Sequence, residues 1–212
     1  MAGSEAVRLA VLLSGSGTTL QNFLDRIRAG RLAARVVVVV SSREDAYGIE
    51  RARAAGIPVR VVPRKRYAGV DEFNDALHAE LARFEFDLVL LAGFLSPFQL
   101  RRRYEGRVLN VHPALVPAFS GKGFYGDRVH RAVLEAGVRV TGCTVHFADE
   151  EYDHGPIVFQ GTVPVLEDDT PETLAARVRL LEQELYPEAV RLWAEGRLEI
   201  RGRKVKVLPP RA

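Results

Sequence analysis

Five consecutive valines, Val36 to Val40, sit between Arg35 and Ser41 and constrain the fold more than any other stretch. A run without polar alternation, made of residues stiff at the first side-chain torsion, suits a parallel strand covered on both faces. Similar runs precede and follow it. Val7 to Ser14 (V-R-L-A-V-L-L-S) and Phe86 to Ala92 (F-D-L-V-L-L-A) have the length of buried strands, and Pro58 to Val62 that of a shorter one. Between them lie helical patterns. Leu20, Phe23, Leu24 and Ile27 share one helix face. Tyr47 to Ala55 predicts a short helix ending near Gly56. Asp71 to Phe84 carries Phe73, Leu77, Leu81 and Phe84 on its apolar side, with His78 expected in solvent or at a cap. Pro97 to Tyr104 reads as helical, and Arg107 to His112 as the next strand. Strands alternating with helices predict an α/β fold: a doubly wound, mostly parallel open sheet.

The rest of the chain extends that sheet. Asp127 to Glu135 predicts a short helix capped by its Asp. Val138 to Ala148 and Ile157 to Leu166 predict a hairpin around the acidic loop D-E-E-Y-D-H-G-P (149–156). Thr170-Pro171-Glu172 is a helix start, with Thr as cap and Pro in the first turn. Leu174, Val178, Leu181 and Leu185 give that helix its stripe, and Pro187 allows a kink. Gly196 to Val207 predicts a terminal hairpin about Gly202, so the extension is antiparallel, and P-P-R-A is a frayed end. One domain is expected over 1–212, with no linker or repeat.

Composition narrows the function. Lys+Arg of 30 against Asp+Glu of 27 leaves a net charge of +3, which argues for no nucleic-acid partner. Arg101-Arg102-Arg103 reads as solvated surface. Cys143 is the sole cysteine, so no internal disulfide can form, as suits a reducing compartment. No apolar run reaches a membrane span, and Met1 to Val7 lacks the apolar core of a secretory signal. A cytoplasmic protein without membrane association is expected. The histidines and carboxylates show no metal-ligand spacing, so no metal is expected.

Three stretches fall at strand ends, on the edge where open parallel sheets bind ligands. The first is G-S-G-T-T (15–19), between strand and helix. Gly15 and Gly17 permit a tight turn, and Thr18 and Thr19 add hydroxyls to free backbone N–H groups, which suits an anion. The Walker lysine and the third glycine of a dinucleotide fingerprint are missing, so a phosphomonoester fits better. The bland reading is an ordinary turn with Thr as N-cap. The second is G-F-L-S-P, from Gly93. The third is L-N-V-H-P-A-L-V-P (109–117), in which Asn110 and His112 point to one side of a strand. An amide and an imidazole together can hold an acyl oxygen and move a proton. F-S-G-K-G-F-Y-G (119–126) suits a mobile loop near a ligand.

Taken together, G-S-G-T-T-L-Q-N, A-G-F-L, L-N-V-H-P-A-L-V-P, C-T-V-H-F and D-H-G-P-I-V resemble the glycinamide ribonucleotide formyltransferases, members of the 10-formyltetrahydrofolate-dependent formyltransferases, from Val7 to about Leu198. The resemblance implies a Rossmann-like formyltransferase fold, with a phosphate-binding half of about 7–106 and a folate and catalytic half of about 107–208. It implies formyl transfer from 10-formyltetrahydrofolate to the amine of glycinamide ribonucleotide in purine synthesis. Asn110, His112 and Asp153 match the catalytic set, with Asp153 expected to hold His112 in its charged form. His146 matches a nearby histidine, expected as structural support. Gly17, Thr18, Thr19 and Glu182 match ribonucleotide contacts; the bland reading of Glu182 is an exposed helix carboxylate. The folate is expected against Leu91, Phe94, Leu95, Asn110, Ala148, Asp149 and Glu150. Its glutamate tail is expected on a basic residue of 64–66, with Arg66 chosen.

Several positions depart from the family pattern. The loop after Phe94 is shorter and the 118–127 loop longer. Thr19 stands where some members have Asn, and His154 where a small residue is common. The rival readings are a formyltetrahydrofolate deformylase, a methionyl-tRNA formyltransferase domain, and a phosphate-binding module without catalysis. The first two usually carry a further domain. A homodimer is compatible with the sequence but not selected by it.

Overall fold

A computed structural model describes residues 6–210. The stretch from Met1 to Glu5 and the last two residues of the expected frayed end, Arg211 and Ala212, lie outside the described residues. The chain divides into two compact units, with the break after Val108.

The first unit is α/β with four parallel strands in the order β3-β2-β1-β4. These are β1 (Val7–Leu13), β2 (Ala34–Ser41), β3 (Val59–Val61) and β4 (Leu88–Leu91). Leu9, Val11 and Leu13 of β1, Val38 to Val40 of β2 and Leu88 to Leu90 of β4 are wholly buried, as their unbroken apolar sequence requires. Helices α1 (Thr18–Arg28), α2 (Gly48–Ala54) and α3 (Val70–Leu81) provide the crossovers. Leu20 and Phe23 of α1, and Phe73, Leu77 and Leu81 of α3, are fully buried, so the helical periodicity identifies the core faces.

Two expectations for this unit need correction. Pro97 to Tyr104 is not a helix; only Arg102–Tyr104 forms a single 3-10 turn. The Asn74 side chain fastens this segment by two backbone contacts. Its Nδ2 donates to the Pro97 carbonyl at 3.3 Å, and its Oδ1 accepts from the Gln99 N–H at 2.9 Å. Arg101, at φ 48°, breaks the run. Nor is His78 solvated. It is buried, its Nε2 lies 2.8 Å from the Gln99 carbonyl, and its ring stacks on Tyr104 at 5.1 Å. Burial pushes its pKa below the usual histidine value, so the ring sits there neutral and amphipathic.

The second unit orders its strands β5-β6-β7-β9-β8. They are β5 (Val108–His112), β6 (Val140–Phe147), β7 (Ile157–Pro164), β8 (Leu198–Arg201) and β9 (Lys204–Val207). β5 with β6, β6 with β7 and β8 with β9 are antiparallel. β9 joins β7 in parallel, through Ile157 and Lys204, so the extension is mixed rather than wholly antiparallel. The crossover that permits this is α5 (Pro171–Ala194). Its N-cap is Thr170, as expected, with Thr173 completing a capping box and Pro187 inside the helix. Leu174 and Val178 pack with Val133, Cys143 and Val163, and Leu181 and Leu185 cover that cluster. Helix α4 (Asp127–Glu135) is capped by Gly126 at φ 53°, not by Asp127, which lies in the first turn.

Candidate active site

In the second unit the β5–β6 register sets Asn110 opposite His146 and His112 opposite Thr144. Directly opposed residues of an antiparallel pair share a face. Asp153 reaches the same face from the β6–β7 loop at φ 52°. Gly155 closes that loop, because a Cβ there would stand 1.9 Å from the Phe147 carbonyl oxygen.

The three expected catalytic residues meet. Asp153 Oδ1 accepts from Asn110 Nδ2 at 3.3 Å, and Oδ2 lies 3.3 Å from His112 Nδ1. The His112 and Asp153 side chains are 4% and 11% exposed, so water screens neither well. Gly121 N–H donates to Asp153 Oδ2 at 3.0 Å. His112 Nε2 donates to the Phe119 carbonyl at 2.8 Å. His146 is also part of the set. Its Nδ1 donates to the Phe147 carbonyl at 2.8 Å, which leaves Nε2 to accept from Asn110 Nδ2 at 3.1 Å. Asn110 Nδ2 is thus shared between His146 and Asp153.

The protonation states follow from these partners. Burial pushes the Asp153 carboxyl up, but His146, His112 and the Gly121 N–H together outweigh it, leaving the group below its usual range. For His112, burial lowers the pKa, and the opposing effects of Asp153 and the Phe119 carbonyl do not overcome it. Asp153 thus acts on His112 in the direction that favours its charged form, while burial acts against it. Yet both its nitrogens face acceptors, an arrangement satisfied fully only by the imidazolium. The ring is poised to take a proton and return it.

Glu182, on α5, is partly buried rather than exposed. Burial pushes its carboxyl up to about 7, against the pull of Arg179. The same crowding pushes the Cys143 thiol up to about 12, so that cysteine is an inert core residue. Asp149 and His154 pair at 2.8 Å, and Arg203 Nη2 donates to the His154 carbonyl at 2.9 Å. Ala148 is partly buried and Glu150 exposed in the same loop.

The remaining expected residues lie in the first unit. Gly17 is the N-cap of α1 at φ 72°, and Thr18 and Thr19 begin the helix, so the cap is glycine rather than threonine. A Cβ on Gly17 would stand 2.5 Å from the Gly48 Cα. Arg51 braces the turn, its Nε donating to the Ser16 carbonyl at 3.0 Å. Ser14 links this turn to that of Phe94 and Leu95, since its Oγ accepts from the Leu95 N–H at 2.9 Å. Leu91 and Phe94 are half-buried and Leu95 is 52% exposed. Arg66 is exposed and ion-paired with Glu44. Among the described residues, no group of three or more His, Cys, Asp and Glu could hold a metal ion.

Residues 7–190 match the family model described as formyl transferase. The chain belongs to the formyl transferase family. It is similar to a phosphoribosylglycinamide formyltransferase of Haemophilus influenzae, at 39% identity over 197 residues, covering 92% of this chain and 90% of that protein. It also resembles a trifunctional purine biosynthetic protein adenosine-3 of Gallus gallus, at 43% identity over 198 residues and 92% of this chain. This chain spans only 19% of that longer protein. Among solved structures, glycinamide ribonucleotide transformylase 1 from Symbiobacterium toebii superposes with a TM-score of 0.87 at 46% identity, over 97% of this chain and 95% of that one.

Proposed function

We propose that this enzyme moves the formyl group of 10-formyltetrahydrofolate to the amine of glycinamide ribonucleotide. The products are N-formylglycinamide ribonucleotide and tetrahydrofolate. The observation that carries the reading is the convergence of Asn110, His112 and Asp153 in a chain similar along its length to enzymes named for this reaction.

The amine lone pair attacks the formyl carbon, forming the new C–N bond while the carbonyl pair moves onto oxygen. Asn110 Nδ2–H, whose 3.3 Å contact with Asp153 is long, turns to that oxygen as charge develops. His112 donates to the same oxygen once it holds a proton. Asp153 takes the proton released by the attacking nitrogen, through water, and passes it towards the departing folate nitrogen. The bond to that nitrogen then breaks, its electron pair leaving with the folate, and the carbonyl re-forms. No side-chain nucleophile is needed, which agrees with an inert Cys143.

Gly17, Thr18 and Thr19 supply the ribonucleotide phosphate site, on backbone N–H groups of a helix start that a glycine cap leaves open. Glu182, with a pKa near neutrality, contacts the ribonucleotide. Leu91, Phe94 and Leu95 and the backbone of Ala148, Asp149 and Glu150 receive the pterin, and Arg66 the glutamate tail. A cytoplasmic location suits the reduced Cys143, and a homodimer remains compatible.

Turnover and ribonucleotide affinity of the wild type and His112→Ala test the reading. We expect turnover to vanish while the ribonucleotide still binds. Unchanged turnover in the variant would favour a phosphate-binding module without this chemistry.

A further inference from the structure

One row of side chains crosses three strands: His112 on β5, Thr144 opposite it on β6, and Gln160 opposite Thr144 on β7. Thr144 is wholly buried and its hydroxyl is saturated. It donates to the Ala114 carbonyl at 2.7 Å, and accepts from the Val116 N–H at 3.0 Å and from Gln160 Nε2 at 3.1 Å. Gln160 Nε2 also donates to the Val116 carbonyl at 2.9 Å. Two side chains thus fasten three backbone groups of the turn that leaves His112. Further along, Phe119, forced to φ 51°, turns its carbonyl onto His112 Nε2, and the Gly121 N–H meets Asp153 Oδ2. One loop therefore gives an acceptor to the imidazole and a donor to the carboxylate.

We infer that Thr144 and Gln160 are positioning residues that, by fastening residues 114–116, set where the Phe119 carbonyl and the Gly121 N–H stand against His112 and Asp153. They touch neither substrate nor reacting atoms. Besides Asp153, the titratable groups facing His112 are His146 and His130. Removing the Thr144 hydroxyl while keeping its shape leaves the Ala114 carbonyl and Val116 N–H in the interior without that partner, so the turn shifts and the pair's protonation balance shifts with it. As to its catalytic consequence, the inference rests on the reaction proposed above.

The test compares wild type, Thr144→Val, Thr144→Ser and Gln160→Met by kcat, KM for the ribonucleotide, and kcat against pH, with the ring-nitrogen chemical shifts of His112 titrated by NMR. For Thr144→Val we expect kcat to fall about tenfold or more, a loss typical of disturbed proton transfer, with KM within about twofold. Its profile and His112 titration should move by about half a unit or more, and Thr144→Ser should restore both. Wild-type kcat and titration in Thr144→Val would overturn the inference, as would a kcat loss with an unmoved titration. If Thr144→Val does not fold, Gln160→Met, at an exposed position, decides on the same criteria. The NMR titration needs no substrate, so inactivity of the wild type would count against the reaction while leaving the positioning decided.

Discussion

At the scale of single residues, the central chemistry is carried by one carboxylate serving two neighbours. Asp153 faces His112 with one oxygen and Asn110 with the other, so replacing it by Asn keeps the shape and removes both the charge and one acceptor. Asp153→Asn should bind the ribonucleotide within about threefold of wild type while kcat falls about a hundredfold or more, the usual scale for a lost acid–base group. Binding assays and single-turnover kinetics check this, and an unimpaired variant removes Asp153 from the mechanism. Glu182 makes a different prediction, in stability. Its folded carboxyl titrates at about 7 against an ordinary 4.5. A raised folded value means the protein binds that proton more tightly when folded, so the stabilisation is complete below the ordinary value and is lost as pH rises through 7. Glu182→Gln should therefore be more stable than wild type at pH 8, by at most about 3 kcal/mol and less after solvent screening. Thermal melts at pH 5 and pH 8 read the sign. His112 and Asp153, both lowered, act oppositely: the stability they contribute is present at neutral pH and lost on the acid side.

Elements place these residues, and here the glycine turn is the sharpest case. Gly17 combines φ 72° with a neighbour 2.5 Å from any added Cβ, and that neighbour is the backbone of Gly48. Gly17→Ala must push α2 away or deform the start of α1. We expect it to raise KM for the ribonucleotide about tenfold or more and to lower stability by about 2 kcal/mol, with kcat much less affected. An affinity equal to wild type would remove this turn from phosphate binding. Much of this scale was legible beforehand. The valine run, the βα alternation and the Thr170-Pro171 start each state their element locally, because burial on both faces or a cap is written into adjacent residues. What escaped depended on partners distant in sequence. Pro97 to Tyr104 has helical composition, but Asn74 fastens it by two backbone contacts. His78 reads as polar, yet Tyr104 and the Gln99 carbonyl give it a buried place. At the site, Asn110, His112 and Asp153 were readable by type and motif. The Phe119 carbonyl and Gly121 N–H were not, since every residue carries such groups. Thr144 had a signal: in T-V-H it alternates onto the side of His146.

For the whole molecule, each unit has its own part in the proposed reaction: the first offers the anion turn, the second the acid–base set. A net charge of +3 with both signs dispersed suits small anionic substrates better than a polyanion. Among the described residues, no helix is long and apolar enough to cross a membrane. The relatives include both a free-standing enzyme and a trifunctional protein of which this chain matches about a fifth, so the same fold serves alone and as part of a larger chain. The claim on which everything else depends is that the formyl group goes to an amine and not to water. The most direct test follows loss of the formyl group from 10-formyltetrahydrofolate with and without glycinamide ribonucleotide. The account predicts turnover only when the ribonucleotide is present, with the formyl group recovered on its amine. Equal loss in water alone would contradict it and make the enzyme a hydrolase.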